Sequence, residues 1–178
     1  MSTHIVVQDH PVLREKAKPV PKAMFGGDEL KSIIADMSTA LRGTEYGVAI
    51  AAPQVAIPYR IFVVSGFAMT GRERNPEDPD IAFINPKIKK RSRKKTLING
   101  EGCLSVPGVY GSIKRSDKVT VEAWDVHGNK FERGGSELLA EIFEHEVDHL
   151  DGILFIDKAE ELWKETTRPK TPENDSLA

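Results

Sequence analysis

Apolar residues recur every three or four positions in two stretches of the chain and cluster or alternate in several others. In GGDELKSIIADMSTALRG (26–43), Leu30, Ile33, Ile34, Met37 and Leu41 fall on one stripe. That spacing predicts an amphipathic helix, with Asp28 as N-cap and Gly43 as stop. SELLAEIFEHEVDHL (136–150) predicts a second helix with Ser136 as N-cap. Leu138, Leu139, Ile142 and Phe143 give it apolar faces broad enough to make it part of the core. YRIFVVSG (59–66) and IAFINPKI (81–88) are β-branched and aromatic runs, hence strands, and the polar MTGRERNPEDPD between them reads as a mobile loop. KVTVEAWDVHGNKFERG (118–134) alternates and turns near His127 and Gly128, the pattern of a hairpin. KAEELWKETTRPKTPENDSLA starts as a short helix and dissolves after Arg168 into a tail expected to be disordered. Strands on both sides of a buried helix predict an α+β fold: antiparallel or mixed sheets around the central HEVDH helix, with an N-terminal helix and a short C-terminal one. The expected organisation is one domain over 1–157, followed by the short helix and tail of 158–178.

Composition narrows the class. A chain of 178 residues fits one domain with a real core. Its 25 basic and 27 acidic side chains leave a formal charge of −2, so nothing steers the whole protein toward DNA or an anionic membrane. No run approaches the roughly 18 apolar residues of a membrane span, and the N-terminus has no secretory pattern. The only cysteine, Cys103, cannot form an internal disulfide, which fits a reducing, cytoplasmic setting. One segment departs from the even balance. KKRSRKK (89–95) is either a solvated β-hairpin edge or a transient contact with ribosomal RNA, and the C-terminal helix around Leu162 and Trp163 is a second docking candidate.

The chemistry concentrates in HEVDH (145–149). Residues at i and i+4 project from one helix face, so His145 and His149 can point at a single ion with Glu146 beside it as general base. The plainer reading is a helix that happens to carry two histidines. A catalytic site also needs a third ligand, and the downstream acids Asp151, Asp157, Glu160 and Glu161 have no distinctive setting. Upstream, NGEGCLSVPG (99–108) sets Cys103 among glycines and serine rather than leucines. A lone cysteine is more often an inert buried thiol, but beside the histidine pair the reading of Cys103 as a thiolate ligand for a borderline or soft metal overtakes it. GVAIAAPQV (47–55) is small and apolar with one polar side chain, Gln54. It reads as a core strand ending in a turn, or as backbone left bare for a ligand.

Taken together and in this order, GVAIAAPQ, EGCLS and HEVDH resemble the peptide deformylases, and QDHPVLREKAKPV and HLDGILFID extend the similarity over most of residues 5–157. The resemblance implies a metallohydrolase that removes formyl from the N-terminal formyl-methionine of nascent peptides, with 1–157 as the catalytic domain. It implies Cys103, His145 and His149 as ligands of one divalent ion, Fe(II) in cells, with Zn, Ni or Co able to substitute. Glu146 would be the general base. The Gln54 amide and the Leu104 N–H would hold the developing oxyanion. Val48, Ala49 and Gly102 would contact the peptide backbone, Leu138 and Ile142 would receive the methionine side chain, and Glu101 and Arg115 would form an ion pair behind the ligands. Three positions depart from the family pattern: Ala49 replaces a glycine, Glu144 replaces the more usual glutamine, and Tyr110 stands where some members have arginine. The rival readings are another His-Glu-x-x-His amidase or peptidase with a downstream ligand, and an inactive binding module of the same fold.

Overall fold

A computed structural model describes residues 4–71, 75 and 78–165. Helix α1 (Asp28–Arg42) precedes strand β1 (Ala49–Ala51), a 3-10 turn at Ala52–Val55, and β2 (Ile61–Val64). A short helix, α2 (Gly66–Thr70), leads to β3 (Ile81–Arg91), β4 (Lys95–Cys103), β5 (Val106–Ser116), β6 (Lys118–Trp124) and β7 (Lys130–Ser136). Helix α3 (Leu138–Leu150) and strand β8 (Glu161–Lys164) complete it. Five strands form one antiparallel sheet in the order β1-β2-β3-β6-β7, and three form a second, β4-β5-β8.

The run IFVV shows why the larger sheet sits where it does. Alternate side chains of a strand face opposite sides, and all four residues of β2 are buried. Phe62 and Val64 join a cluster with Phe83, Ile142, Phe143 and Val147, under α3. Ile61 and Val63 join Leu30, Ile33, Met37 and Leu41 of α1 on the other face. The sheet is thus covered by a helix on each side, and α3 lies between it and the second sheet. Phe62 stacks on Phe83 at 4.6 Å between centroids, and Phe143 meets Phe83 edge-on at 5.3 Å.

The end of α3 is fixed by its own backbone. Gly152 adopts φ +74°, its N–H bonds to the His149 carbonyl (3.1 Å), and the Ile153 N–H reaches back to Asp148 (2.9 Å). This is a Schellman stop, which needs a left-handed residue just past the helix. A Cβ on Gly152 would also stand 2.6 Å from the Arg14 carbonyl oxygen. Gly152→Ala is therefore expected to cost about 1–3 kcal/mol; a thermal melt unchanged from wild type would contradict it.

Both long helices and the 118–134 hairpin occur where the pattern put them, but several local expectations need correction. Asp28 opens α1 rather than capping it, and the cap is Gly27. Ser136 ends β7 opposite Lys118, so the residue before α3 is Glu137, held at φ +53° without a side-chain cap. The expected C-terminal helix is strand β8 over Glu161–Lys164, with Trp163 opposite Tyr110. The free edge of β5 supplies a ladder of backbone partners that a single exposed helical turn would lack. The basic run is not a hairpin either, because it crosses from β3 in one sheet to β4 at the edge of the other. Parts of the expected mobile loop (72–74, 76 and 77) and the tail beyond 165 lie outside the described residues.

Candidate metal centre and peptide cleft

Helix α3 presents His145 and His149 to the turn between β4 and β5, where Cys103 pairs with Val106. The ligand atoms of Cys103, His145 and His149 all lie within 4.8 Å of one another. His149 Nε2 stands 3.2 Å from Cys103 Sγ. A thiolate and two imidazoles at such separations make a donor set suited to a divalent transition metal.

Behind these three lies a buried chain of charge. His145 Nδ1 stands 2.7 Å from Glu101 Oε1. Arg115 binds Glu101 through two nitrogens, Nη2 at 2.6 Å and Nε at 3.0 Å, and its Nη1 donates to Asp148 Oδ2 at 2.7 Å. Asp148 in turn accepts from Lys158 Nζ at 2.6 Å. Glu101 and Arg115 are 3% and 4% exposed, so the pair is geometrically complete and dry. Burial would raise the Glu101 pKa, but the hydrogen bonds from His145 and Arg115 overcome it and bring the carboxyl down to about 2. Burial likewise opposes charge on His145, yet its bonds to Cys103 and Glu101 lift it well above the usual range. His149 is pushed well down, by burial first and then by His145 and Arg115. An acceptor on Nδ1 orients the imidazole and leaves Nε2 for the opening between Cys103 and His149.

Among the described residues His149 Nδ1 and Glu146 Oε2 are buried without a hydrogen-bond partner, and Glu146 is the carboxylate with no structural employment. It is 4% exposed, and its Oε2 has no hydrogen-bond partner among the described residues. Burial, with some help from Glu101, raises it to about 7 against the pull of His145 and Arg115. A buried carboxylate is normally paired, and an orphaned one beside a ligand cluster marks a place where chemistry uses it.

Gln54 is aimed with care. Its Oε1 accepts the Ala51 N–H at 2.8 Å, which fixes the orientation of the amide. The Nε2 then points at Ser105 Oγ (3.2 Å) and Cys103 Sγ (3.6 Å). Ser105, fully buried, was overlooked in the sequence although it is the last residue of EGCLS. Asp148 was overlooked too, inside HEVDH itself.

A cleft of about 400 Å³ opens onto Glu146 and the ligand cluster. Val48, Ala49, Gly102, Leu104, Leu138 and Ile142 all line it. Ile142 is buried at 4% exposure, whereas Leu138 stands at the rim at 50%. The Val48 carbonyl already accepts the Ser65 N–H (2.9 Å), and alternation along β1 turns the backbone groups of Ala49 toward the open side instead. Ala49 keeps an ordinary strand conformation opposite Val64, so its methyl causes no backbone strain. Gly102 has no such latitude, since a Cβ there would lie 2.9 Å from the Tyr110 ring.

A second departure also resolves. Glu144 faces away from the histidines and accepts bonds from Arg91 Nε (2.8 Å), Ser116 N (2.8 Å) and Ser116 Oγ (3.1 Å). Of the downstream acids, Asp151 pairs with Arg60, Asp157 with Arg14 and Glu160 with Lys114, and none joins the cluster.

Residues 2–165 match the family model described as polypeptide deformylase. The chain belongs to this family. Peptide deformylase 2 of Clostridium acetobutylicum is 42% identical over 160 residues, spanning 90% of this chain and 97% of that protein. The chloroplastic and mitochondrial peptide deformylase 1A of Arabidopsis thaliana is 38% identical over 164 residues, 86% of this chain and 60% of its own length. Among solved structures, the Met-Ala-Ser-bound class I type b peptide deformylase of Acinetobacter baumannii superposes with a TM-score of 0.76 at 32% identity, covering 87% of this chain and 97% of that one. As a peptide deformylase the protein is a metal-dependent hydrolase that removes the N-formyl group from nascent peptides. Its Cys/His/His cluster fits that dependence.

Proposed function

We propose that the protein deformylates the N-terminal formyl-methionine of newly made chains in the cytoplasm, with Cys103, His145 and His149 holding one divalent ion. Fe(II) is the ion proposed in cells, and Zn, Ni or Co suit the same donors. The observation that carries this reading is the buried carboxylate of Glu146, its Oε2 without a partner among the described residues, beside those three converging ligand atoms. A bound divalent ion supplies Lewis-acid polarisation and makes water more acidic.

The rest is the work of this chain's own groups. Glu146 takes a proton from the attacking water and returns one to the leaving amine. Burial favours the protonated form of this carboxyl, which suits it to accept a proton and hand it on. Gln54 Nε2 and the Leu104 N–H stabilise negative charge as it develops on the formyl oxygen. They act because they are fixed before the reaction, Gln54 through its bond to the Ala51 N–H. The peptide lies extended along the open side of β1, using the backbone of Ala49, with Val48 and Gly102 flanking it. The methionine side chain enters against Ile142, with Leu138 closing the rim. Glu101 and Arg115 hold His145 in place.

Formate release from a formyl-Met-Ala-Ser peptide, with the acetylated peptide as control, tests the function. Release from the formyl peptide alone is expected. No release from protein with metal bound would sink the reading. Gln54→Leu is expected to lower kcat by about 10²-fold with little change in bound metal; a kcat within twofold of wild type would remove Gln54 from the mechanism.

Contact with the ribosome is part of the same proposal. Within 89–95, Lys89, Arg91 and Lys94 pair with Glu122, Glu144 and Asp117. Among the described residues that leaves Lys90, Arg93 and Lys95 without an ion-pair partner and able to meet phosphate. Charge reversal at those three should weaken salt-sensitive ribosome binding. An unchanged affinity would rule this segment out.

A further inference from the structure

A second cavity, of about 490 Å³, opens where the segment before α1 meets the start of β2. Four cations line it, Lys16, Lys18, Arg60 and Lys87, with Asp151 as its one carboxylate. Alternation along the extended chain leaves Lys16 and Lys18 exposed on one side and turns Ala17 inward, at 4% exposure. Backbone hydrogen bonds tie the walls together. The Lys18 N–H donates to the Pro58 carbonyl, the Arg60 N–H to the Lys18 carbonyl and the Asn85 N–H to the Arg60 carbonyl, each at 2.8 Å. Arg60 is the fixed point, its side chain 15% exposed. Its Nη1 donates both to the Leu150 carbonyl at the end of α3 (3.1 Å) and to Asp151 Oδ1 (2.8 Å). The Nε–Nη2 edge of the same guanidinium makes no hydrogen bond among the described residues. Lys16, Lys18 and Lys87 form no ion pair among them either. Like charges gathered on a concave wall focus their field on an anion.

We propose that this cavity binds the diphosphate group of a small molecule, with Arg60 holding one phosphate and Lys16, Lys18 and Lys87 closing on the other. The site is separate from the metal centre, since none of its residues lines the peptide cleft, and it does not depend on the deformylase reading. The free edge of a guanidinium matches two oxygens of one phosphate, and lysines add point charges that adapt to the rest. Four cations against one carboxylate leave more charge than a single phosphate would answer, and the space admits a second. Asp151 also faces the ligand, but its charge is met by Arg60, and that pair keeps the guanidinium from turning away. The backbone bonds hold Lys18, Arg60 and the start of β3 in place before any ligand arrives, so binding orders only lysine side chains.

The test titrates the zinc-loaded, isotope-labelled protein with inorganic diphosphate and with a nucleoside diphosphate, with sulfate for comparison, while bound zinc is measured. Backbone N–H resonances of Lys16, Lys18, Arg60 and Lys87 are expected to shift saturably, with those of His145 and His149 unmoved. K18Q and K87Q should each weaken binding about tenfold, the size of one charge-assisted hydrogen bond, and leave formate release from formyl-Met-Ala-Ser unchanged. Equal affinity for the two diphosphates would mean that the diphosphate alone is read. Tighter binding of the nucleoside form would identify the ligand as a nucleotide. The absence of a saturable shift would overturn the proposal and leave four solvated cations. Sulfate binding as tight as diphosphate would overturn it too, as would shifts confined to the metal centre or undiminished affinity in both variants. Tighter binding of a short single-stranded RNA than of either diphosphate would replace the site with a nucleic-acid surface.

Discussion

Replacing Glu146 by alanine is expected to slow formate release by about 10²–10⁴-fold, the range for removal of a positioned general acid–base group, while the protein keeps its metal. The two halves of that expectation have different physical origins. Loss of rate follows from the position of the carboxylate, 4% exposed, with Oε2 unpaired among the described residues and the cleft opening onto it. Retention of metal follows because His145 is held by Glu101 and Arg115, Cys103 stands against His149 and Gln54, and among the described residues none of the three ligands makes a hydrogen bond to Glu146. Glu146→Gln sharpens the comparison, since it keeps shape and loses basicity. Steady-state kinetics with metal analysis of the same preparation decides the matter. A kcat within tenfold of wild type at full metal content would move the proton-transfer role elsewhere. Loss of metal in both variants would make Glu146 a structural support of the ligands.

What the sequence disclosed about this site depended on how local each signal was. His145 and His149 were legible because a helix converts a spacing of four into a shared face, whatever the rest of the chain does. Helix α1 was legible for the same reason. Strand β4, which delivers Cys103, was not. TLINGEGC has two glycines, and its Thr96 and Leu97 are exposed, so it carries no alternation, and its place is set by pairing with β5. Cys103 therefore entered not through its strand but through its setting among glycines and serine beside the histidine pair, and then through the resemblance of EGCLS to a known motif. Strand β8 was misread as helix because ELWK has no pattern strong enough to compete with a free edge on β5. Asp148 and Ser105 were missed although they lie inside the quoted motifs. Their roles come from partners far along the chain, Arg115 for Asp148 and Gln54 for Ser105.

Replacing Arg115 by methionine should be the most destabilising change close to this site, costing about 3–5 kcal/mol, the usual loss when one partner of a buried pair is removed. Its guanidinium reaches both Glu101 and Asp148 and is itself 4% exposed, so neither acid can recruit water in its place. Asp148 keeps Lys158, but Glu101 keeps only His145. The pH dependence carries the same signature. Glu101 is depressed in the folded protein to about 2 from an ordinary 4.5, so its contribution is present above 4.5 and lost as pH falls through 4.5 toward 2. Without Arg115, burial is opposed by His145 alone, the folded pKa rises, and the loss of stability begins at higher pH. Because Glu101 orients His145, metal affinity should also fall, by about 10- to 100-fold. Urea unfolding of both proteins across the acid range, with a metal titration at neutral pH, reads all three effects. An Arg115→Met protein with an unchanged midpoint and unchanged affinity would mean that Glu101 is held by His145 alone, and that the buried arginine contributes nothing to the site it braces.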